Sequence, residues 1–457
     1  MAYLAVLVAA AVVGLVAVGH AAVGIAIATV AIFAVLAWRR PAGGLAMVSF
    51  ASFLTLVPAP LVPAVTLFKG LALVLVVIWL LQREPSPRGR IPVALSLSLA
   101  FFATWTVASI LWSADQAAAL AAIGRYAQLV AIVIVGIAVM RRRDDAVVVA
   151  GAFLAGAVAA AAMGFLTGIG TKVGRLGGTI GDANELGVAL VASLALVPPL
   201  FTRARARGSR TAAVLICLAT GIALAGLVLT GSRGGALALL GAAVVALTMG
   251  RRWWPWAVPV LGVSGAVVVL VSLGVALPGA SSRLANSDAS TRVPVWTVAA
   301  RMIEARPATG VGVGNFVPAS PLYLLRAGGV TRSDLVIDGR KVAHNMYLQI
   351  ASEGGLPALL AFVAVLVLAG ACAVRAGRRF DRAGENNMAF LAESFAVALA
   401  AFAIASLFLS LEVNRQLWLV AAVSIGLYRI STPPSLAASS PRESLGDFSA
   451  GHLVVAT

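Results

Sequence analysis

The chain has 457 residues, 61% of them hydrophobic and only 11% charged, with a formal net charge of +17. A soluble domain carries roughly 25% charged residues, so a soluble globular fold of this length is excluded. The positive charge does not mark a nucleic-acid binder, because the arginines fall between apolar runs and form no single basic face.

The apolar runs, for example residues 93–111 and 147–166, are about 17 to 25 residues long, enough for a helix to cross a hydrocarbon core of about 30 Å. They are rich in Ala, Leu and Val and show no ten-residue alternation, which specifies helices and excludes a barrel. The expected fold is an all-α membrane protein with about 12–14 transmembrane helices. A single polytopic membrane domain should occupy residues 1–430.

In chain order, residues 2–18 lack a basic flank and a cleavage site and are followed at once by another apolar run, so they read as a retained helix. The pairs 2–18 with 21–37 and 45–57 with 64–81 are short or interrupted. Basic clusters recur in every second loop: Arg39 with Arg40, then 83–90, 141–143, 203–210, 251–252 and 375–382. The positive-inside rule puts these loops in the cytoplasm and the intervening ones, 58–63, 113–116, 167–184, 231–235, 278–344 and 411–416, outside it. Cys217 and Cys372 lie in spans and read as packing residues. There is no repeat of fixed period and no inverted pair of broken helices. Residues 431–457, rich in Ser, Pro and Ala, read as a mobile cytoplasmic tail.

The largest departure from membrane composition is the extracytoplasmic loop 278–345. Within it residues 293–305 (VPVWTVAARMIEA) have apolar positions at helical spacing, the pattern of an amphipathic helix at the membrane surface. Pro307 ends it, and Gly310 to Asn315 (GVGVGN) follow as a flexible turn. A loop with Arg326, Arg332, Asp334, Asp338, Arg340 and Lys341 then leads to His344.

Several polar groups on this side are candidates for chemistry. Arg233, in TGSRGG, stands at a span boundary between glycines that let a ligand approach. A guanidinium at that depth either meets a diphosphate, pairs with a carboxylate or snorkels to lipid phosphate. Arg292, one turn before Trp296, is a second candidate for the same anion or for lipid headgroups. His344 precedes Asn345 at the start of a span, and its unperturbed pKa of about 6.5 suits a general base for a sugar hydroxyl, although interfacial caps also use histidine. Residues 174–185 (GRLGGTIGDANE) bring Arg175, Asp182, Asn184 and Glu185 to a polar re-entrant or capping loop. No strand precedes them, which disfavours a nucleotide-binding loop.

Four motifs in order, GTIGDANELG (178–187), LTGSRGGALALL (229–240), STRVPVWTVAARMIEARPATGVGVGNF (290–316) and HNMYLQIASEGGLP (344–357), resemble the O-antigen ligase and O-antigen polymerase superfamily of membrane glycosyltransferases. The resemblance spans residues 174–362. It implies a GT-C-like fold and transfer of a glycan from a polyprenyl (undecaprenyl) diphosphate carrier to an acceptor hydroxyl, outside the cytoplasmic membrane of a bacterium. It also implies diphosphate binding by Arg233 and Arg292, a base at His344 and inversion at the anomeric carbon, without cofactor or metal. Asn345, Ser232, Trp296, Asn184 and Arg175 are the supporting candidates. Where the family commonly has a second glycine after the first pair, this chain has Leu356, Pro357 and Ala358. The implied partners are the lipid-linked glycan donor, a glycan or lipid-glycan acceptor and membrane lipid, with no nucleic acid.

Two other readings remain open. A polymerase would use another lipid-linked repeat unit as acceptor and needs the same three residues. A transporter or flippase would bind the same lipid without breaking a bond, and calls for charges deep in spans, of which Lys69 and Glu393 are the candidates.

Overall fold

The computed structural model describes residues 21–56, 58–59, 62–82, 91–172, 174–272, 289–324 and 342–432. The expected helix at 2–18, the tail beyond 432 and the stretch with Arg326, Arg332, Asp334, Asp338, Arg340 and Lys341 lie outside the described residues. The helices are α1 (Ala21–Arg39), α2 (Pro41–Ala51), α3 (Leu67–Leu81), α4 (Val93–Ala108), α5 (Gln116–Val139), α6 (Arg143–Thr167), α7 (Ala183–Leu194), α8 (Val197–Ala206), α9 (Arg210–Thr230) and α10 (Arg233–Thr248). After these come α11 (Trp254–Ser272), α12 (Ala289–Ala305), α13 (Phe316–Leu324), α14 (Met346–Arg382), α15 (Asn386–Ala405) and α16 (Arg415–Ser431). A short antiparallel ribbon, Pro58–Ala59 with Val62–Thr66, joins α2 to α3.

The all-α membrane class expected from composition is the class observed. Among the described residues 7 helical segments are long and apolar enough to cross a membrane: Val93–Trp112, Gln116–Val139, Arg143–Thr167, Ala183–Ala206, Arg210–Thr230, Met346–Arg382 and Asn386–Ala405. Shorter apolar helices (Val30–Arg39, Pro41–Ala51, Leu67–Leu81 and Arg233–Thr248) accompany them. The apolar run around α2 is cut to 11 residues. At about 1.5 Å per residue such a helix reaches about half of the hydrocarbon core.

Local signals account for the boundaries. Gly168 and Gly231 adopt left-handed φ values of 71° and 54° and stop α6 and α9. Side chains of Asp115, Asp182, Ser232, Asn345 and Asn414 accept first-turn N–H groups and start α5, α7, α10, α14 and α16. The five cap residues all act in the usual N-cap way. α14 breaks at Gly355, whose φ of 74° and ψ of 179° are non-helical. A Cβ there would collide with the carbonyl of Ala308, and Leu356 N–H donates outside the helix to Pro307 O at 2.8 Å. Pro357 follows with no N–H of its own. One span is therefore broken at Gly355, and Ala358, in place of a glycine, packs against Gly354.

The core is a helix bundle in which α14 packs against α4, α15 and α16, and α15 is enclosed on nearly all sides. α12 and α13 form a separate small layer whose core is Val295, Val298, Ala299, Met302, Val311, Phe316, Ala319, Tyr323 and Ala343. The amphipathic helix read from the sequence is thus present, with its apolar face buried in that layer. At the far end of the bundle arginines clasp helices together: Arg143 with Glu385 at 2.7 Å, Arg252 with Asp381 at 2.6 Å, and Arg203 with Asp144. Glu393, a candidate for the transporter reading, accepts from Trp253 Nε1 at 3.0 Å and lies 3.7 Å from Arg252, so it belongs to these clasps.

Candidate functional site

The TGSRGG motif is a helix stop followed at once by a helix start. Gly231 caps α9, Ser232 Oγ accepts Gly235 N–H at 3.0 Å, and Arg233 becomes the first residue of α10. A cation at a helix N-terminus works against the helix dipole, so helix stability does not explain an arginine there. Two positive features, the guanidinium and the dipole, instead meet at one exposed point, as an anion site requires.

The polar loop before α7 fastens this point. Arg175 Nε donates to Thr230 O at 2.9 Å and its Nη2 to Asn184 Oδ1 at 2.7 Å. Asn184 Oδ1 also accepts from Ser232 Oγ at 3.1 Å. Arg175, Asn184 and Ser232 are therefore a connected network next to Arg233, and Arg175 spends its Nε and one Nη2 donor on protein. Thr179 ties the same loop to Phe53 O at 2.8 Å.

His344 sits on the other side of the site. Among the described residues it is the one non-glycine with positive φ, at 48°. Such a conformation is uncommon and costs free energy, so the surrounding contacts must hold it. Asn345 starts α14 by accepting from Tyr347 and Leu348 N–H at 3.0 and 3.1 Å. Just before His344, Ala343 N–H donates to Gln349 Oε1 at 2.9 Å, and Ala343 O accepts from Trp296 Nε1 at 2.9 Å. Arg292 is four residues from Trp296 on α12, hence on the same helix face. The indole thus brings the Arg292 face of α12 to the residue beside His344.

Met346 N–H closes the remaining gap, donating to Ser406 O at 2.9 Å and Leu409 O at 3.0 Å. Leu409 in turn packs on Gly234, the neighbour of Arg233. The Arg233 group and the His344–Arg292 group therefore meet across one turn, that between α15 and α16. Five capped helix N-termini open at this end of the bundle.

The glycine turn expected to be flexible is docked. Glu353, buried in α14, accepts from Gly314 N–H at 2.8 Å, Phe316 N–H at 3.3 Å and Gln349 Nε2 at 2.6 Å. Asn315 and Asp115 exchange hydrogen bonds at 2.8 and 3.1 Å, and a Cβ on Gly312 would collide with Ser113. Sequence reading placed Glu353 in a motif without a task. A carboxyl inside an apolar span was the available signal. Glu412, Asn414 and Arg125 carried no assignment either. Asn414 lies beside the Glu185 carboxyl. Burial first, with the Glu353 and Glu185 charges adding to it and the nearby Arg125 charge opposing it, pushes Glu412 up to about 8. Glu412 Oε2 has no hydrogen-bond partner among the described residues.

Residues 218–363 match the family model described as O-antigen ligase, which supports the superfamily recognised from the motifs. The matched segment contains Arg233, Arg292, Trp296, His344, Asn345 and Glu353. No curated protein matches the chain.

Proposed function

We propose that this chain is a membrane glycosyltransferase of the O-antigen ligase superfamily, one that moves an oligo- or polysaccharide from a polyprenyl diphosphate carrier to an acceptor hydroxyl on the extracytoplasmic face. The observation that carries the reading is the hydrogen bond from Trp296 to Ala343, which sets the Arg292 face beside His344, together with the Leu409 contact that joins Arg233 to them.

In this mechanism the neutral imidazole of His344 takes the acceptor proton as the acceptor oxygen bonds to the anomeric carbon. On the opposite side the bond from that carbon to the diphosphate oxygen breaks, its electron pair staying on the diphosphate, and the configuration inverts. Arg233, Arg292 and the helix N-terminus at Ser232 stabilise the charge that develops there. The imidazolium then returns its proton to water. Since a diphosphate is already a good leaving group, charge stabilisation and acceptor deprotonation are the two tasks left to the protein. The topology supporting this face is the alternation of basic loops.

The test is a glycan profile of a strain lacking the gene, with lipid-linked intermediates resolved by length and complementation by wild type and by His344→Ala. Full-length polymer accumulating on the carrier is expected. Single repeat units there would instead make the protein a polymerase, and accumulation of neither would return the transporter reading. His344→Ala should insert normally and lose roughly 10²- to 10⁴-fold in transfer. Full activity in that variant would remove His344 from the base role.

A further inference from the structure

The end of the bundle remote from His344 holds a second site of different chemistry. α9 runs from Arg210 to the Arg233 corner over 21 residues, about 30 Å at helical rise, so its two ends lie on opposite sides of a hydrocarbon core. Beside its first turns is a groove of about 550 Å³, lined by Phe201, Arg205, Arg210, Ala213, Val214, Cys217 and Leu218. Val214 and Leu218 are 57% and 59% exposed on one wall, and buried Ala213 forms the floor. Phe201 is held edge-on against Trp256 at 6.0 Å, which makes the opposite wall rigid.

Four arginines at this end, Arg143, Arg203, Arg207 and Arg252, lie within 4 Å of a carboxylate. Arg205 and Arg210 are not among them. Both are exposed, both line the groove, and among the described residues neither has a carboxylate within ion-pair distance. Ser209 caps α9 between them, so the positive end of a long helix adds to the two guanidiniums. An apolar trough with a cationic mouth fits an amphiphile with an anionic head.

We propose that the groove between α8 and α9 binds one anionic glycerophospholipid, its phosphate held by Arg205 and Arg210 and an acyl chain lying along Phe201, Val214 and Leu218. A zwitterionic lipid fills the same trough but brings no net charge to the two guanidiniums, and basic pockets between transmembrane helices select anionic headgroups for that reason. The site is separate from the proposed donor diphosphate site by the length of α9. Its occupancy therefore does not depend on whether the transferase reading is right.

Cys217 supplies the readout, because it is exposed on the groove wall whereas Cys372 is buried. In the purified full-length protein in neutral detergent, N-ethylmaleimide should label Cys217. Added phosphatidylglycerol should slow that labelling roughly tenfold, while phosphatidylcholine at the same mole fraction leaves it nearly unchanged. The double variant Arg205→Gln/Arg210→Gln should label at the wild-type lipid-free rate and lose the protection. Equal protection by phosphatidylcholine, protection surviving in the double variant, or protection by inorganic phosphate alone would each overturn the proposal. Should the double variant fold poorly, Val214→Trp, which fills the trough without changing charge, must abolish the phosphatidylglycerol adduct seen by native mass spectrometry of the wild type. Persistence of that adduct would equally refute the site.

Discussion

The two ends of the bundle use charge differently, although Asp145 at the remote end also accepts the Arg141 and Arg142 N–H groups. At the end remote from His344, carboxylates hold arginines: Glu385 with Arg143, Asp144 with Arg203, Asp381 with Arg252. At the His344 end, carboxylates hold backbone amides: Glu353 takes Gly314 and Phe316, Asp182 takes Asn184 and Glu185, and Asp115 takes Ala118. The first arrangement ties helix to helix and tolerates loose geometry. The second fixes loop conformations residue by residue, which is what a site needs if a guanidinium and an imidazole are to face one substrate at fixed distances.

The contrast breaks most sharply at Glu353. Replacing it with Ala leaves buried N–H groups of Gly314 and Phe316 and the Gln349 amide without their acceptor, so destabilisation of about 3 kcal/mol and loss of transfer are expected. Thermal unfolding in detergent measures it, and an unchanged melting temperature would mean that the glycine turn holds itself.

Arg233→Lys comes next. An ammonium lacks the planar fork for a diphosphate, and transfer should fall roughly 10²-fold with folding intact. Arg252→Lys, at the clasped end, should leave transfer close to wild type.

Glu412 sharpens the comparison through pH. Its carboxyl keeps its proton up to about pH 8 when folded, against an ordinary value of 4.5 when exposed. Between those values the folded chain binds more protons, so this contribution to stability is complete below about 4.5 and is lost as pH rises through about 8. Glu412→Gln should therefore flatten the fall in melting temperature between pH 5 and 8.5 relative to wild type. Parallel profiles would remove Glu412 as the cause.

The smallest effect is expected at Asp144, whose side chain is 71% exposed. Asp144→Asn should cost less than about 1 kcal/mol, as surface ion pairs do. A larger loss would mean that the clasps are as demanding as the site.

Much of this was legible before the fold. Arg233, Ser232 and Gly231 are neighbours in sequence, and a glycine stop followed by a serine cap is a local signal that needs no tertiary context. The amphipathic periodicity of α12 was equally local. What escaped was any role that depends on partners far along the chain. Trp105 donates to Gly354 and Asn315 pairs with Asp115 across separations of 249 and 200 residues, and no spacing rule reaches that far. The break at Gly355 was hidden because the apolar run continues through it, and only the approach of Ala308 shows why a glycine must stand there.

By itself the sequence determined that the chain is a helical membrane protein, since hydropathy and run length follow from composition alone and lipid allows the backbone no other open solution. It also carried the motifs, with Arg233, Arg292 and His344 among them, that resemble one family. The tertiary structure alone decided that these residues share a surface. That meeting depends on an indole reaching a carbonyl 47 residues away and on a leucine in the turn between α15 and α16 resting on Gly234, contacts set by packing of the whole bundle and by no local preference.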